Sequence, residues 1–208
     1  LDRAQTRIQA LGFTAVNNRV QIAVVNDGNQ DNSFYSPANK QLSFGAGGLV
    51  GGLGMGFTLA SALQHIGKNG QVVVAELVPG VIEWNRGPLG EKAGMPILDP
   101  RAEIRCQDVA EVIKSEPLGF DAIMLDVDNG PEGLTHTGNN WLYSMAGLHA
   151  CHRALRPAGI LAVWSASADR KFADKVGKAG FKVEEVQVYA HGNKGTKHTL
   201  WIGSKLKA

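Results

Sequence analysis

Short apolar runs alternate with helix-like patterns along most of the chain after residue 49, and this alternation restricts the fold more than any other feature. The runs at 72–77 and 120–128 have the composition of buried strands. The stretches at 58–66 and 109–115 carry apolar residues at helical spacing. Alternating strands and helices are typical of a parallel sheet that is covered by helices on both faces.

The last part of the chain departs from this alternation. KVEEVQVYAHG and TKHTLWIGSK are consecutive strand patterns, separated by turn-forming residues at 192–195. Two adjacent strands with a short turn predict an antiparallel hairpin. We therefore predict an α/β fold: a doubly wound, mostly parallel, seven-stranded sheet that ends in a C-terminal antiparallel hairpin.

The first 46 residues do not share the alternation. Period-2 character is visible in RVQIAVVND, and a polar stretch rich in Asn, Asp and Ser follows it. We predict that residues 1–46 form an N-terminal extension, with a helix and a small β element. Residues 47–208 are predicted to form one nucleoside-binding catalytic domain.

Composition excludes several classes of protein. The net charge is +2 and the Lys and Arg residues are scattered, so no nucleic-acid surface is predicted. No apolar run reaches 18 residues, so no membrane partner is expected. The two cysteines favour a reducing compartment, which predicts a cytoplasmic location.

A dense glycine cluster, GGLGMGF, precedes the first helical pattern. Gly52, Gly54 and Gly56 form G-x-G-x-G, and Phe57 stands where a dinucleotide fingerprint has its third glycine. This looser form is typical of sheets that bind a nucleoside such as S-adenosylmethionine (AdoMet). A packing or turn role for the glycines remains the alternative.

Two acids end predicted strands beyond the glycines. Glu76 lies 20 residues after Gly56, where an acid can accept hydrogen bonds from a ribose diol. Asp108 is placed to accept a bond from an adenine amino group, and Val109 to pack against the base. Glu76 as an ordinary strand-end acid, and Asp108 as a helix N-cap, are the alternatives.

The stretch LDVDNGPEGL carries the predicted catalytic residues. Asp126 and Asp128 follow a buried strand, and ligands of open parallel sheets bind beyond the carboxyl ends of strands. Carboxylates there can bind an amine and accept its proton. The alternative is a solvated acidic turn.

Several other side chains lie near the predicted strand ends. Trp84 is interpreted as packing between helix and sheet, with a place beside the adenine as the alternative. Tyr143 lines either the acceptor pocket or the core, and Trp164 and Ser165 are interpreted as rim residues. His149 and His152 have helical i, i+3 spacing without a third ligand nearby, so no metal site is predicted. His191 and His198 are interpreted as structural residues of the hairpin.

From about residue 49 the chain resembles the catalytic domain of spermidine synthases, within the class I AdoMet-dependent methyltransferase (Rossmann-like) fold. The matching stretches are GGLGMGFTL, VVVAELVPGVIEW, QDVAEVI, FDAIMLDVDNGPEGLT and ALRPAGILAVWSAS. The resemblance implies that Glu76 holds the ribose, Asp108 holds the adenine, and Asp126 is the catalytic carboxylate.

The chain also departs from that family. Spermidine synthases carry an Asp in the glycine motif that contacts the amine of decarboxylated AdoMet, and Met55 stands there in this chain. The second Asp of their post-strand motif falls on Asn129. Their tetramer-forming N-terminal hairpins were not found, which leaves the oligomeric state open, with a homodimer among the options.

These departures favour AdoMet over decarboxylated AdoMet as the ligand. We predict a transferase that moves a methyl group to a small, amine-bearing acceptor. Aminopropyl transfer to a polyamine and a non-catalytic nucleoside-binding module remain alternatives. NAD-dependent oxidoreduction is disfavoured by Phe57 and the terminal hairpin.

Overall fold

The computed structural model describes residues 22–26, 53, 56–125, 141–165, 168–191 and 194–206. Within these ranges the chain forms one seven-stranded sheet. The strands are β1 (Ile22–Asn26), β2 (Val72–Glu76), β3 (Ala102–Arg105), β4 (Phe120–Leu125), β5 (Leu155–Ser165), β6 (Phe181–His191) and β7 (Lys194–Lys205).

The strand order in the sheet is β3-β2-β1-β4-β5-β7-β6. The first five of these strands run parallel to one another. Strand β7 is antiparallel to both β5 and β6, so it lies between them as the inner strand of the terminal hairpin. The predicted α/β fold, with its C-terminal antiparallel hairpin, is therefore confirmed.

Six α-helices are described between the strands. They are α1 (Phe57–His65), α2 (Pro79–Asn85), α3 (Pro88–Lys92), α4 (Val109–Ser115), α5 (Met145–Ala154) and α6 (Arg170–Lys178). Proline is the first residue of α2 and α3, a position where its missing N–H costs nothing. A 3₁₀ turn, Pro96–Leu98, precedes β3.

Helices cover both faces of the sheet. On one face α4, α5 and α6 bury a large core that includes Val73, Ile123, Leu161 and Trp201. On the other face α1 and α2 bury a second core with Val72 and Val74 among its members. Because both faces are covered, β2 is buried at all five positions, which explains its unbroken apolar run.

Element boundaries differ from the predicted ones in places where local geometry overrides the apolar pattern. Helix α5 begins at Met145 and not near 139, since the Ser144 hydroxyl accepts a hydrogen bond from the Gly147 N–H (3.2 Å) and caps the helix there. Strand β5 begins at Leu155, five residues before the predicted start, because Leu155 pairs with Phe120 ahead of a register shift.

Strand β1 lies inside the range that we assigned to an N-terminal extension. It pairs with β2 on one side and with β4 on the other, so residues 22–26 belong to the central sheet. The predicted small β element is thus an integral strand. The division of the chain at residue 46 otherwise remains a prediction.

None of the helices among the described residues has the length and apolar character needed to cross a bilayer.

Candidate functional site: an acid at the carboxyl end of the sheet

Glu76 is the last residue of β2, and its side chain is fully buried. One carboxylate oxygen accepts a hydrogen bond from the Val78 N–H (2.8 Å), and the other accepts one from the Leu53 N–H (3.2 Å). A buried carboxylate is costly unless donors surround it, so these bonds hold the acid in one orientation at the strand end. The structure therefore places a fixed acceptor where the sequence predicted the ribose acid.

The bond to Leu53 joins the glycine cluster to this acid. The Leu53 carbonyl accepts a hydrogen bond from the Gly56 N–H (2.6 Å), and Gly56 is the N-cap of α1. Leu53 itself is buried. The carboxylate of one strand end thus sets the position of the residues that lead into the first helix.

Gly56 is the predicted cofactor-binding glycine that the structure describes. Its φ is +81°, in the left-handed region that favours glycine. A Cβ at this position would lie 2.9 Å from Asn85 Oδ1 and 3.2 Å from Pro96 Cγ. The chain therefore requires glycine here for both conformation and space, which accounts for part of the cluster by packing.

Asp108 lies beside Glu76 at the same edge of the sheet. The Gln107 N–H donates to the Glu76 carbonyl (3.2 Å), which continues the pairing of β2 and β3 past the end of β3. Asp108 is exposed and caps α4, with its Oδ1 accepting from the Ala110 N–H (2.7 Å). The N-cap role is therefore established, and it leaves the carboxylate at the surface, where a base can reach it.

Val109, the first residue of α4, is buried in the core, with 5% of its surface exposed. The predicted contact with a base remains a prediction. Two exposed apolar side chains that the sequence reading did not select follow Glu76 directly: Leu77, 54% exposed, and Val78, 36% exposed. Apolar side chains beside convergent polar groups are typical of the walls of small-molecule sites. Leu77 and Val78 could have been identified from the sequence because they directly follow Glu76.

Tyr143 lies in the core, whereas Trp84 lies at the surface. Tyr143 is buried, and its ring meets Phe172 edge-on at 5.7 Å, so the core alternative holds for this residue. Trp84 is 49% exposed on α2, so it is only partly a packing residue, and its alternative place beside an adenine remains a prediction.

The two histidines of α5 have different surroundings. His149 is exposed, whereas His152 packs edge-on against Phe181 at 5.0 Å, close below Gly180. No group of three or more His, Cys, Asp and Glu side chains in the described part of the chain could hold a metal ion. The expectation of no metal site remains a prediction.

The two cysteines lie in different surroundings. Both cysteines are free; Cys106 is exposed just before Asp108, and Cys151 lies in the core. Burial raises the pKa of the Cys151 thiol to about 12, so this thiol is inert at neutral pH.

The other predicted site residues, Gly52, Gly54, Asp126 and Asp128, lie outside the described residues. Asp126 directly follows Leu125, the last residue of β4. The predicted roles of all four remain predictions.

Comparisons with known proteins fit this geometry. A spermidine synthase from Thermotoga maritima has a similar structure, with a TM-score of 0.62 and 18% identity, over 94% of this chain and 56% of that one. An O-methyltransferase family protein from Burkholderia thailandensis has a TM-score of 0.56 and 13% identity, over 99% of this chain and 57% of that one. A precorrin-6y C5,15-methyltransferase from Geobacter metallireducens has a TM-score of 0.57 and 12% identity, over 97% of this chain and 88% of that one.

The chain has the fold of spermidine synthases and class I AdoMet-dependent methyltransferases. The resemblance read from the sequence motifs is thereby confirmed at the level of the fold. The chain spans little more than half the length of the spermidine synthase that it matches. No family model matches the sequence, and no curated protein matches it.

Proposed function

We propose that this protein is a transferase that binds AdoMet and moves its methyl group to a small acceptor. The observation that carries the proposal is the arrangement of Glu76, at the carboxyl end of β2, and Asp108, three residues beyond the end of the adjacent parallel strand β3, beside a glycine that cannot be replaced without a clash. In open α/β sheets this edge is where nucleosides bind.

The described residues fit such a ligand. The Leu53 and Val78 N–H groups hold the Glu76 carboxylate in one orientation at the end of β2. Because the side chain is fully buried, neighbouring residues must move before it can receive ribose hydroxyls. Asp108 is exposed one strand away and can accept a hydrogen bond from an exocyclic amine, while Leu77 offers an apolar surface to a flat base. The close packing around Gly56 keeps the entry to α1 next to this acid.

The transfer itself needs little from the protein beyond alignment. Bound AdoMet supplies an electrophilic methyl group on a sulfonium ion. The chain must hold the acceptor in line with that methyl group and take up the proton that the nucleophile loses. Asp126 is the residue to which we assign the proton, and Asp128 would help to hold the acceptor.

Calorimetric titration tests the ligand. We expect AdoMet to bind more tightly than decarboxylated AdoMet, because Met55 offers no carboxylate to a free aminopropyl group. Glu76→Gln should weaken AdoMet binding at least about tenfold, since a buried polar group is left mismatched. Glu103→Gln is the matched control: Glu103 lies on the neighbouring strand, and its carboxylate pairs with Arg105 (2.7 Å).

Two results would contradict this assignment of the ligand. Tighter binding of the decarboxylated form, with product formed from putrescine, would make the protein an aminopropyltransferase, the activity named for the spermidine synthase of the same fold. Binding of neither form would exclude both transferase proposals and favour a module that acts through other partners.

Asp126→Asn tests the catalytic carboxylate. We expect this variant to retain AdoMet affinity and to lose turnover by about 10²-fold or more, the usual contribution of a positioned proton acceptor. Release of S-adenosylhomocysteine during incubation with a panel of amines and alcohols measures the turnover. Unchanged turnover in Asp126→Asn would remove the carboxylate mechanism while leaving the ligand assignment intact.

A further inference from the structure

Trp164 and His198 form a buried aromatic pair at the end of β5. Trp164 is the residue before the end of that strand and is 2% exposed; His198 lies on β7 and is 1% exposed. Their rings are stacked, with centroids 5.0 Å apart and planes inclined by 28°. The two residues differ from the surrounding apolar cluster of Ile160, Leu200 and Ile202 because both carry ring N–H groups.

Three buried nitrogen atoms of this pair have no hydrogen-bond partner: Nε1 of Trp164, and Nδ1 and Nε2 of His198. A buried polar group that makes no hydrogen bond destabilises the folded protein. A phenylalanine at position 198 would fill similar space without that cost. Because unpaired buried polar groups are rare in folded proteins, two of them stacked at one place indicate a binding partner that is absent from the free protein.

The pair lies at the edge of the sheet where ligands of this fold bind. Ser165, the last residue of β5, pairs with Thr199, so His198 lies one residue beyond the end of that strand. On the other side of β5, Val163 pairs with Leu125, and Asp126 follows Leu125 in the chain. Trp164 follows Val163 just as Asp126 follows Leu125, so Trp164 and the proposed catalytic acid come after paired residues on adjacent strands.

The hydrogen-bonding capacity of the pair is defined. Burial lowers the pKa of the His198 imidazole, which is therefore neutral at physiological pH. A neutral imidazole has one donor nitrogen and one acceptor nitrogen, and the indole of Trp164 is a donor only. A ligand group that pairs with both the indole N–H and the acceptor nitrogen of His198 must accept one hydrogen bond and donate another, which leaves the imidazole N–H of His198 to a separate partner.

We propose that Trp164 and His198 form an acceptor subsite that binds a hydroxyl group of the methyl acceptor. The hydroxyl oxygen accepts from Trp164 Nε1–H, and its proton is donated to the acceptor nitrogen of His198. This inference rests on the proposed function, since it names a chemical feature of that acceptor. It also revises the sequence interpretation of His198 as a structural residue.

Charged groups suit this place poorly. A protonated amine only donates hydrogen bonds, so it would leave Trp164 Nε1–H unpaired. A carboxylate or an ammonium ion buried against two neutral rings would lack a counter-charge from either of them. The hydroxyl is the simplest uncharged group that both donates and accepts.

Nuclear magnetic resonance of protein labelled with nitrogen-15 histidine tests the subsite without turnover. His198 is assigned as the side-chain signal that is missing from His198→Phe. We expect phenol and butanol to shift the His198 ring-nitrogen signals, and the matched probes toluene and butylamine, which lack a hydroxyl, to leave them unchanged. The titration is repeated with S-adenosylhomocysteine present.

The variants separate binding from packing. His198→Phe preserves an aromatic ring and should keep or raise the melting temperature, while weakening phenol binding about tenfold, equal to the loss of one good hydrogen bond. Trp164→Phe should weaken it similarly. The control is His149→Gln on the exposed surface of α5, which should leave phenol binding unchanged.

Two results would overturn the subsite. One is a His198 signal that no hydroxyl probe shifts, with or without the nucleoside. The other is phenol affinity that is unchanged in His198→Phe. The proposed function fails separately, by absence of AdoMet binding in calorimetry, because neither residue takes part in the Glu76 and Asp108 contacts.

Discussion

Gly56 and Glu76 depend on each other through a short chain of backbone bonds. The Glu76 carboxylate accepts from the Leu53 N–H, and the Leu53 carbonyl accepts from the Gly56 N–H. Gly56 in turn adopts a left-handed conformation as α1 begins. A change at the glycine therefore alters the acid that we assign to the ribose, even though the two residues are 20 positions apart.

Gly56→Ala should destabilise the protein by about 1 to 3 kcal/mol, because it combines a positive φ with a Cβ that lies 2.9 Å from Asn85 Oδ1. Urea unfolding measures this difference in the free energy of unfolding. Gly67→Ala is the matched control, since nothing lies within 4 Å of the added Cβ there. Equal stability of the two variants would show that the region around Gly56 adapts freely.

At the scale of elements, two helices begin with the same kind of cap. Asp108 accepts from the Ala110 N–H at the start of α4, and Asp169 accepts from the Lys171 and Phe172 N–H groups at the start of α6. Only the first of these helices follows a strand that is paired beside Glu76. Comparing variants of Asp108 and Asp169 therefore distinguishes the effect of losing a helix cap from the effect of losing a ligand contact.

Asp108→Ala and Asp169→Ala should each cost about 1 kcal/mol of stability, the usual loss for an N-cap. Asp108→Asn and Asp169→Asn should cost little, because asparagine caps as well as aspartate. Of these two, we expect only Asp108→Asn to weaken AdoMet binding, measured by calorimetry. An equal affinity of Asp108→Asn and wild type would leave Asp108 with the cap alone.

The sequence predicted those elements whose local and long-range preferences agree. Strand β2 is apolar at every position and buried on both faces, and α4 begins directly after a capping aspartate. Both were predicted within one residue. Glu76 follows from the same logic, because it is the last residue of that apolar strand. The predicted strand end at Asp108 was wrong: β3 ends at Arg105, and Asp108 is the N-cap of α4.

The features that escaped prediction are set by distant parts of the chain. The bond from Leu53 to Glu76 and the stacking of Trp164 on His198 join residues from separate elements. The membership of Ile22–Asn26 in the central sheet depends on pairing with strands far along the chain. No local periodicity encodes such partners.

At the scale of the whole molecule, two histidines link stability to pH: His198, which is buried, and His152, which is partly buried. Burial is the main cause that lowers the pKa of both His198 and His152. The unfolded chain, with ordinary histidine pKa values near 6.5, then binds more protons than the folded chain. Stability is therefore fully present above that value and is lost as the pH falls through it.

The melting temperature of the wild type should fall between about pH 7.5 and about pH 5 for this reason. His198→Phe should show a shallower decline over the same range, because it removes one of the two histidines with a lowered pKa in the described part of the chain. Parallel curves for His198→Phe and wild type would contradict the assigned effect of burial on His198.

The place of β1 in the sheet has a kinetic consequence. Ala23 pairs with Val73 and also lies opposite Ile123, so the first strand in the chain joins two strands that lie far beyond it in sequence. Pairings between distant residues are slow to form, whereas a hairpin such as β6 and β7 forms early. Until β1 is in place, β2 and β4 each carry an open edge that another chain can occupy. The centre of this sheet is thus the part most exposed to misassembly while the protein folds.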